Sequence, residues 1–132
     1  MNYCQQKIIK TLLEYKLYYF TAVFLTIAIA IGSLISINDV IETPVLQFFD
    51  KFVHTSAYFF LTLSWLLAYK RNLQKQKKDI LVVILVFVYG IIIEVLQGVL
   101  TNYRQADLLD MLANLGGIVI AALFFNLIFR RK

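Results

Sequence analysis

Four stretches of this chain are long and apolar enough to cross a bilayer, and little sequence is left outside them. A spanning helix takes about 20 mostly apolar residues to cover ~30 Å of hydrocarbon. Residues 17–37 carry no charge. Residues 52–69 hold His54 as the one group that titrates near neutrality, 80–100 hold Glu94, and 112–129 hold Asn114 and Asn126. The other 54 of the 132 residues fall into five pieces, the longest being the 16-residue N-terminal segment. No soluble domain fits in such pieces, so any chemistry must sit on or between the helices. The expectation is an all-α, polytopic membrane protein: one domain over residues 1–132 with four transmembrane helices.

Composition agrees. Hydrophobic residues make up 61% of the chain and charged residues 16%, against a usual ~45–50% and ~25%. Mean hydropathy is +0.75. A soluble domain of this size leaves too much surface exposed to hide that apolar content. A disulfide scaffold, a disordered segment and an ordinary cytosolic enzyme are excluded. The lone Cys4 can form no internal disulfide and no multi-thiolate metal site, and reads as a free cytosolic thiol.

Pro44, the only proline, lies outside all four spans, so each can keep an unbroken helix with its backbone groups satisfied in lipid. Over residues 43–49, Thr43 at the N-cap, Pro44 at the first helical position and an apolar run predict a short interfacial helix in the first outer loop. Ala28-Ile29-Ala30 resembles a signal-peptide cleavage site. The apolar run nevertheless continues to Ile37, and we read the segment as a retained span.

Lys and Arg accumulate on the cytoplasmic side of a membrane. Lys7, Lys10 and Lys16 precede the first span, and Lys70, Arg71, Lys75, Lys77 and Lys78 connect the second to the third. Arg130, Arg131 and Lys132 follow the fourth. These are eleven of the thirteen basic residues; only Lys51 and Arg104 fall in the other two connections. Both termini are therefore expected in the cytoplasm of a bacterial plasma membrane. The basic balance, +5 in formal charge, is thereby explained without nucleic acid.

Given this orientation, the polar residues that interrupt the spans collect at one level. A central charge costs roughly 2.5–3.5 kcal/mol to insert, so such groups face a partner or a cavity. Asp50, Lys51, His54 and Tyr58 open the second span, and Glu94 and Gln97 close the third. Arg104, Asp107, Asp110 and Asn114 lead into the fourth. Asp50, His54 and Tyr58 step by four along one helix face. If the third connection is already helical, Arg104, Asp107, Asp110 and Asn114 step by three, three and four along another. A hydrogen-bonded clasp between helices needs two or three groups; ten at one depth predict an outer-leaflet polar pocket. Gly116-Gly117 with Ala121 reads as a small-residue packing surface, and Tyr18, Tyr19, Trp65 and Tyr69 as interfacial aromatics.

Asp50-Lys51-x-x-His54-x-x-x-Tyr58, then Glu94-x-x-Gln97, then Arg104-x5-Asp110-x-x-Ala113-Asn114-x-x-Gly117, in that order on four spans, resembles the VanZ-like family of small bacterial membrane proteins over about residues 17–129. The resemblance implies a multi-pass protein, related to a member that lowers susceptibility to the glycopeptide antibiotic teicoplanin. It carries over to Asp50, Lys51, His54, Tyr58, Glu94, Gln97, Arg104, Asp110 and Asn114. Asp107 joins the candidate site by position alone, and Ala121 stands where the family often has glycine.

The reading favoured by the sequence is a non-enzymatic binding site for a membrane lipid, a lipid-linked envelope precursor or a lipoglycopeptide. Lys51 and Arg104 would hold phosphate, and the carboxylates and Asn114 would meet sugar or amine groups. One alternative is an enzyme using His54, Glu94 and the Asp107/Asp110 pair as acid–base groups or metal ligands. No metal-binding spacing, nucleophile elbow or cofactor motif accompanies them. A proton or ion pathway is the other alternative, but the inner half offers little beyond Thr62 and Ser64. Cofactors and metals are expected to be none.

Overall fold

A computed structural model describes residues 2–35, 44–69, 75–100 and 107–130, which are helical throughout except for Asn2, Ile35 and Asp107. Helix α1 runs Tyr3–Leu34, α2 Pro44–Tyr69, α3 Lys75–Leu100 and α4 Leu108–Phe125, followed by a π-helical turn, Asn126–Arg130. All four helices are long and apolar enough to cross a membrane.

Two boundaries differ from expectation. Helix α1 begins at Tyr3, well before residue 17. At ~1.5 Å per residue its 32 residues reach ~48 Å, more than the ~30 Å of hydrocarbon. Asn2 N–H donates to Gln5 Oε1 at 3.3 Å and closes its first turn. The short helix expected over residues 43–49 does begin at Pro44, but it is not a separate element. Its turns run straight into the span. Between Pro44 and Tyr69 there is neither glycine nor a second proline, and once nucleated a helix propagates until something stops it. Thr43 lies outside the described residues.

Helix α2 is the hub, packed against α1, α3 and α4, whereas α1 and α4 do not touch among the described residues. The α2–α4 seam is the closest. A Cβ on Gly117 would run into the backbone carbonyl of Thr55, so only glycine lets the two backbones approach this far. Thr55 Oγ1 spans the same seam, donating to Lys51 O at 2.9 Å and to Ala113 O at 3.1 Å. Ala121 continues the seam, fully buried. Gly116 does not take part, since a Cβ there would meet nothing.

Helix α1 is held by a few polar anchors. Trp65 Nε1 donates to Thr26 Oγ1 at 3.2 Å, and the Tyr89 hydroxyl donates to Thr26 O at 2.6 Å. Trp65, expected as an interfacial aromatic, is thus also a packing residue; its ring stacks on Tyr69 and meets Tyr19 edge-on. Large apolar side chains such as Phe20, Phe24, Ile84, Leu85 and Leu123 point outward, while Thr62, Glu94, Gln97, Asp110 and Asn114 are buried. Leu61, Leu66, Ile118 and Phe125 are buried with them; apolar side chains on both faces and polar ones only inside are what lipid as the outer solvent demands, because lipid gives no reason to hide a leucine but strong reason to hide an amide.

Candidate functional site

The N-terminal ends of α2 and α4 and the C-terminal ends of α1 and α3 lie at the same end of the bundle, and nine of the ten expected site residues are described there. Arg104 lies outside the described residues. Asp107 is the N-cap of α4, so the expected helical step from Asp107 to Asp110 does not lie within one helix. Its Oδ1 accepts from Leu109 N at 2.8 Å in extended backbone, so the helix starts after it. Asp110 then occupies the first turn, where the positive end of the helix dipole suits a carboxylate.

The residues divide into three groups. At the mouth, Lys51 Nζ bridges α2 to α4, 3.0 Å from Asp107 Oδ2 and 2.9 Å from Asp110 Oδ1. The Asp110 side chain is only 7% exposed, whereas that of Asp107 is 42% exposed. Lys51 therefore compensates a buried carboxylate, with two of its three N–H donors directed at aspartates. The carboxyl of Asp107 is held below the usual 3.8, first by the Leu109 N–H and then by Lys51.

One turn deeper, three helices meet. Asn114 Nδ2 donates to Glu94 Oε1 at 3.3 Å, and Asn114 Oδ1 faces His54 Nδ1 at 3.1 Å. His54 Nδ1 is also 3.5 Å from Glu94 Oε1. The arrangement assigns the tautomer: with the Asn114 amide nitrogen turned to the carboxylate, its oxygen can only accept, so Nδ1 of His54 carries a proton. The other ring nitrogen, Nε2, faces Asp50 Oδ1 at 3.8 Å, beyond hydrogen-bond reach. The Glu94 side chain is 1% exposed. A carboxylate at that depth needs donors to offset several kcal/mol of lost hydration, and the Asn114 amide supplies one at Oε1.

The remaining two residues point elsewhere. Gln97 Nε2 donates to Ser33 O at 2.8 Å, tying α3 to α1. Tyr58 is fully buried with its ring against Gly90, where a Cβ would come within 3.0 Å of Cε1. Its hydroxyl has no hydrogen-bond partner among the described residues. Thr55, Gly90, Gly117 and Ser33 shape the site without having been expected in it. Only Gly117, three residues after Asn114, stood out in the sequence, and it was assigned to packing.

Asp50, His54 and Asp110 each present one donor atom, and these atoms all lie within 4.8 Å of one another. Two are four residues apart on α2 and the third comes from α4, so no local sequence spacing announces them.

Compared with known proteins, the chain matches the model of the VanZ/LLP1 family over residues 3–130. No curated protein and no solved structure matches it.

Proposed function

The chain belongs to the VanZ/LLP1 family, and from that premise we propose that it is a plasma-membrane protein that binds the polar head of a cell-envelope amphiphile. The observation that carries the reading is the buried network of His54, Asn114 and Glu94, drawn from three helices at one end of the bundle. Beside it the Tyr58 hydroxyl is buried without a hydrogen-bond partner among the described residues. A clasp between two helices would be complete with Lys51, Asp107 and Asp110 alone. A further carboxylate, imidazole and amide, carried at an insertion cost of kcal/mol each, supports a ligand.

The chemistry of the described groups narrows the headgroup. Asp50, Glu94, Asp107 and Asp110 are acceptors when ionised, and the Lys51 ammonium is already bracketed by two of them. Such a surface suits an amine or sugar hydroxyls better than a bare phosphate. The basic segments, at the opposite ends of the helices, support placing this end on the extracytoplasmic side with both termini in the cytoplasm. Lipid-linked envelope precursors and lipoglycopeptides both carry amines or sugars on an acyl or polyprenyl anchor.

Native mass spectrometry of the full chain, challenged with phosphatidylethanolamine, phosphatidylglycerol and teicoplanin, tests the reading. The amine-bearing lipid or the lipoglycopeptide should be retained over phosphatidylglycerol, and His54→Ala and Glu94→Gln should each abolish the preference. Equal retention of all three, or a preference untouched by both substitutions, overturns it.

A further inference from the structure

We propose that Asp50, His54 and Asp110 form a site for a divalent transition-metal cation of the Zn²⁺ or Mn²⁺ class. Two carboxylate oxygens and one imidazole nitrogen from two helices converge within 4.8 Å. One imidazole with two carboxylates is a ligand set of first-row transition metals, and the imidazole argues against Mg²⁺ or Ca²⁺, which prefer oxygen throughout.

The independent observation is how the imidazole is held. His54 gives Nδ1–H to Asn114 Oδ1 at 3.1 Å, with Glu94 Oε1 behind it at 3.5 Å. Metal-binding histidines are held in this way: one nitrogen donates to a carbonyl or carboxylate, fixing the ring, and the other offers its lone pair to the ion. Here that second nitrogen, Nε2, faces Asp50 Oδ1 at 3.8 Å. Bonds of ~2.1 Å in a tetrahedral site put donor atoms about 3.4 Å apart, so this pair needs to close by only a few tenths of an ångström. The ion would sit near the mouth, where the Asp50 side chain is 33% exposed and leaves a path from solvent.

Lys51 is the built-in competitor. Its ammonium holds Asp110 Oδ1 at 2.9 Å and Asp107 Oδ2 at 3.0 Å, so an ion drawing on Asp110 works against a fixed positive charge. Removing that charge while keeping the stem should strengthen metal binding, an effect opposite in sign to that of any substitution that merely damages the fold. The site shares residues with the proposed headgroup site but does not depend on it, since it is probed with metal alone.

The test is calorimetric titration of the full chain in detergent with Zn²⁺, alongside ¹⁵N spectra of the imidazole. His54 is the only histidine, so its Nε2 resonance reports coordination without ambiguity and independently of Cys4. The proposal expects one equivalent of Zn²⁺, a coordination shift at Nε2 but not at Nδ1, at least about tenfold weaker binding in Asp50→Asn, and tighter binding in Lys51→Met. Glu94→Gln, which alters only the group behind the ring, should weaken binding by about 10–100-fold. An unshifted Nε2, a Kd unmoved by Asp50→Asn, or weaker binding in Lys51→Met overturns it.

Discussion

At the scale of single residues, burial decides which polar groups carry consequence. The Tyr58 hydroxyl sits on a fully buried ring with no hydrogen-bond partner among the described residues, and such an orphan costs about 1–3 kcal/mol. Tyr58→Phe removes the orphan and keeps the ring packed on Gly90, so it should raise stability by about 1 kcal/mol in thermal unfolding in detergent. A loss of stability would mean that the hydroxyl has a partner in the membrane. Asp107 makes the complementary case from the exposed side. Its carboxyl titrates below the usual 3.8 in the folded chain, so its contribution is complete above that value and disappears as pH falls through the depressed one. The midpoint of unfolding should therefore drop on acidification below pH 3.8, and Asp107→Asn, which still caps α4, should flatten that drop. Parallel curves for the two proteins would assign the acid sensitivity elsewhere.

At the scale of helices, one glycine of an adjacent pair controls the α2–α4 seam. A methyl at Gly117 collides with the Thr55 carbonyl, which belongs to the backbone and cannot swing aside, whereas a methyl at Gly116 meets open space. Gly117→Ala should cost about 1–3 kcal/mol by overpacking. Gly116→Ala should be neutral or favourable by up to about 1 kcal/mol, as replacing a helix-interior glycine usually is. The comparison of the two unfolding midpoints checks the seam directly, because composition and hydropathy change equally in both. Disturbing the seam should also disturb the site, since Thr55 and Gly117 sit one and three residues from His54 and Asn114.

At the scale of the whole molecule, the direction of the chain governs what the polar end can meet. With basic segments at one end of the bundle and the His54 network at the other, cysteines introduced at exposed positions near Val45 and Leu108 should react with a membrane-impermeant thiol reagent on intact cells. Cys4 should react only after permeabilisation. The reverse pattern would put the site in the cytoplasm and remove the envelope amphiphile from reach.

The number of helices, their approximate positions, the expectation of direction and the end at which polar groups gather were all legible in the amino-acid order. Each follows from local composition, since a segment's transfer into lipid depends on its own residues and the positive-inside bias on its flanks. The face a residue occupies was legible too, from steps of three and four. Which partner it meets was not. That Lys51 closes on Asp107 and Asp110, that Gln97 turns to Ser33, that His54 divides its two nitrogens between Asn114 and Asp50, and that Gly117 rather than Gly116 sets the seam all depend on how far each helix is rotated about its axis and how closely it approaches its neighbour. Those two quantities arise from packing among all four helices at once, and no single segment encodes them.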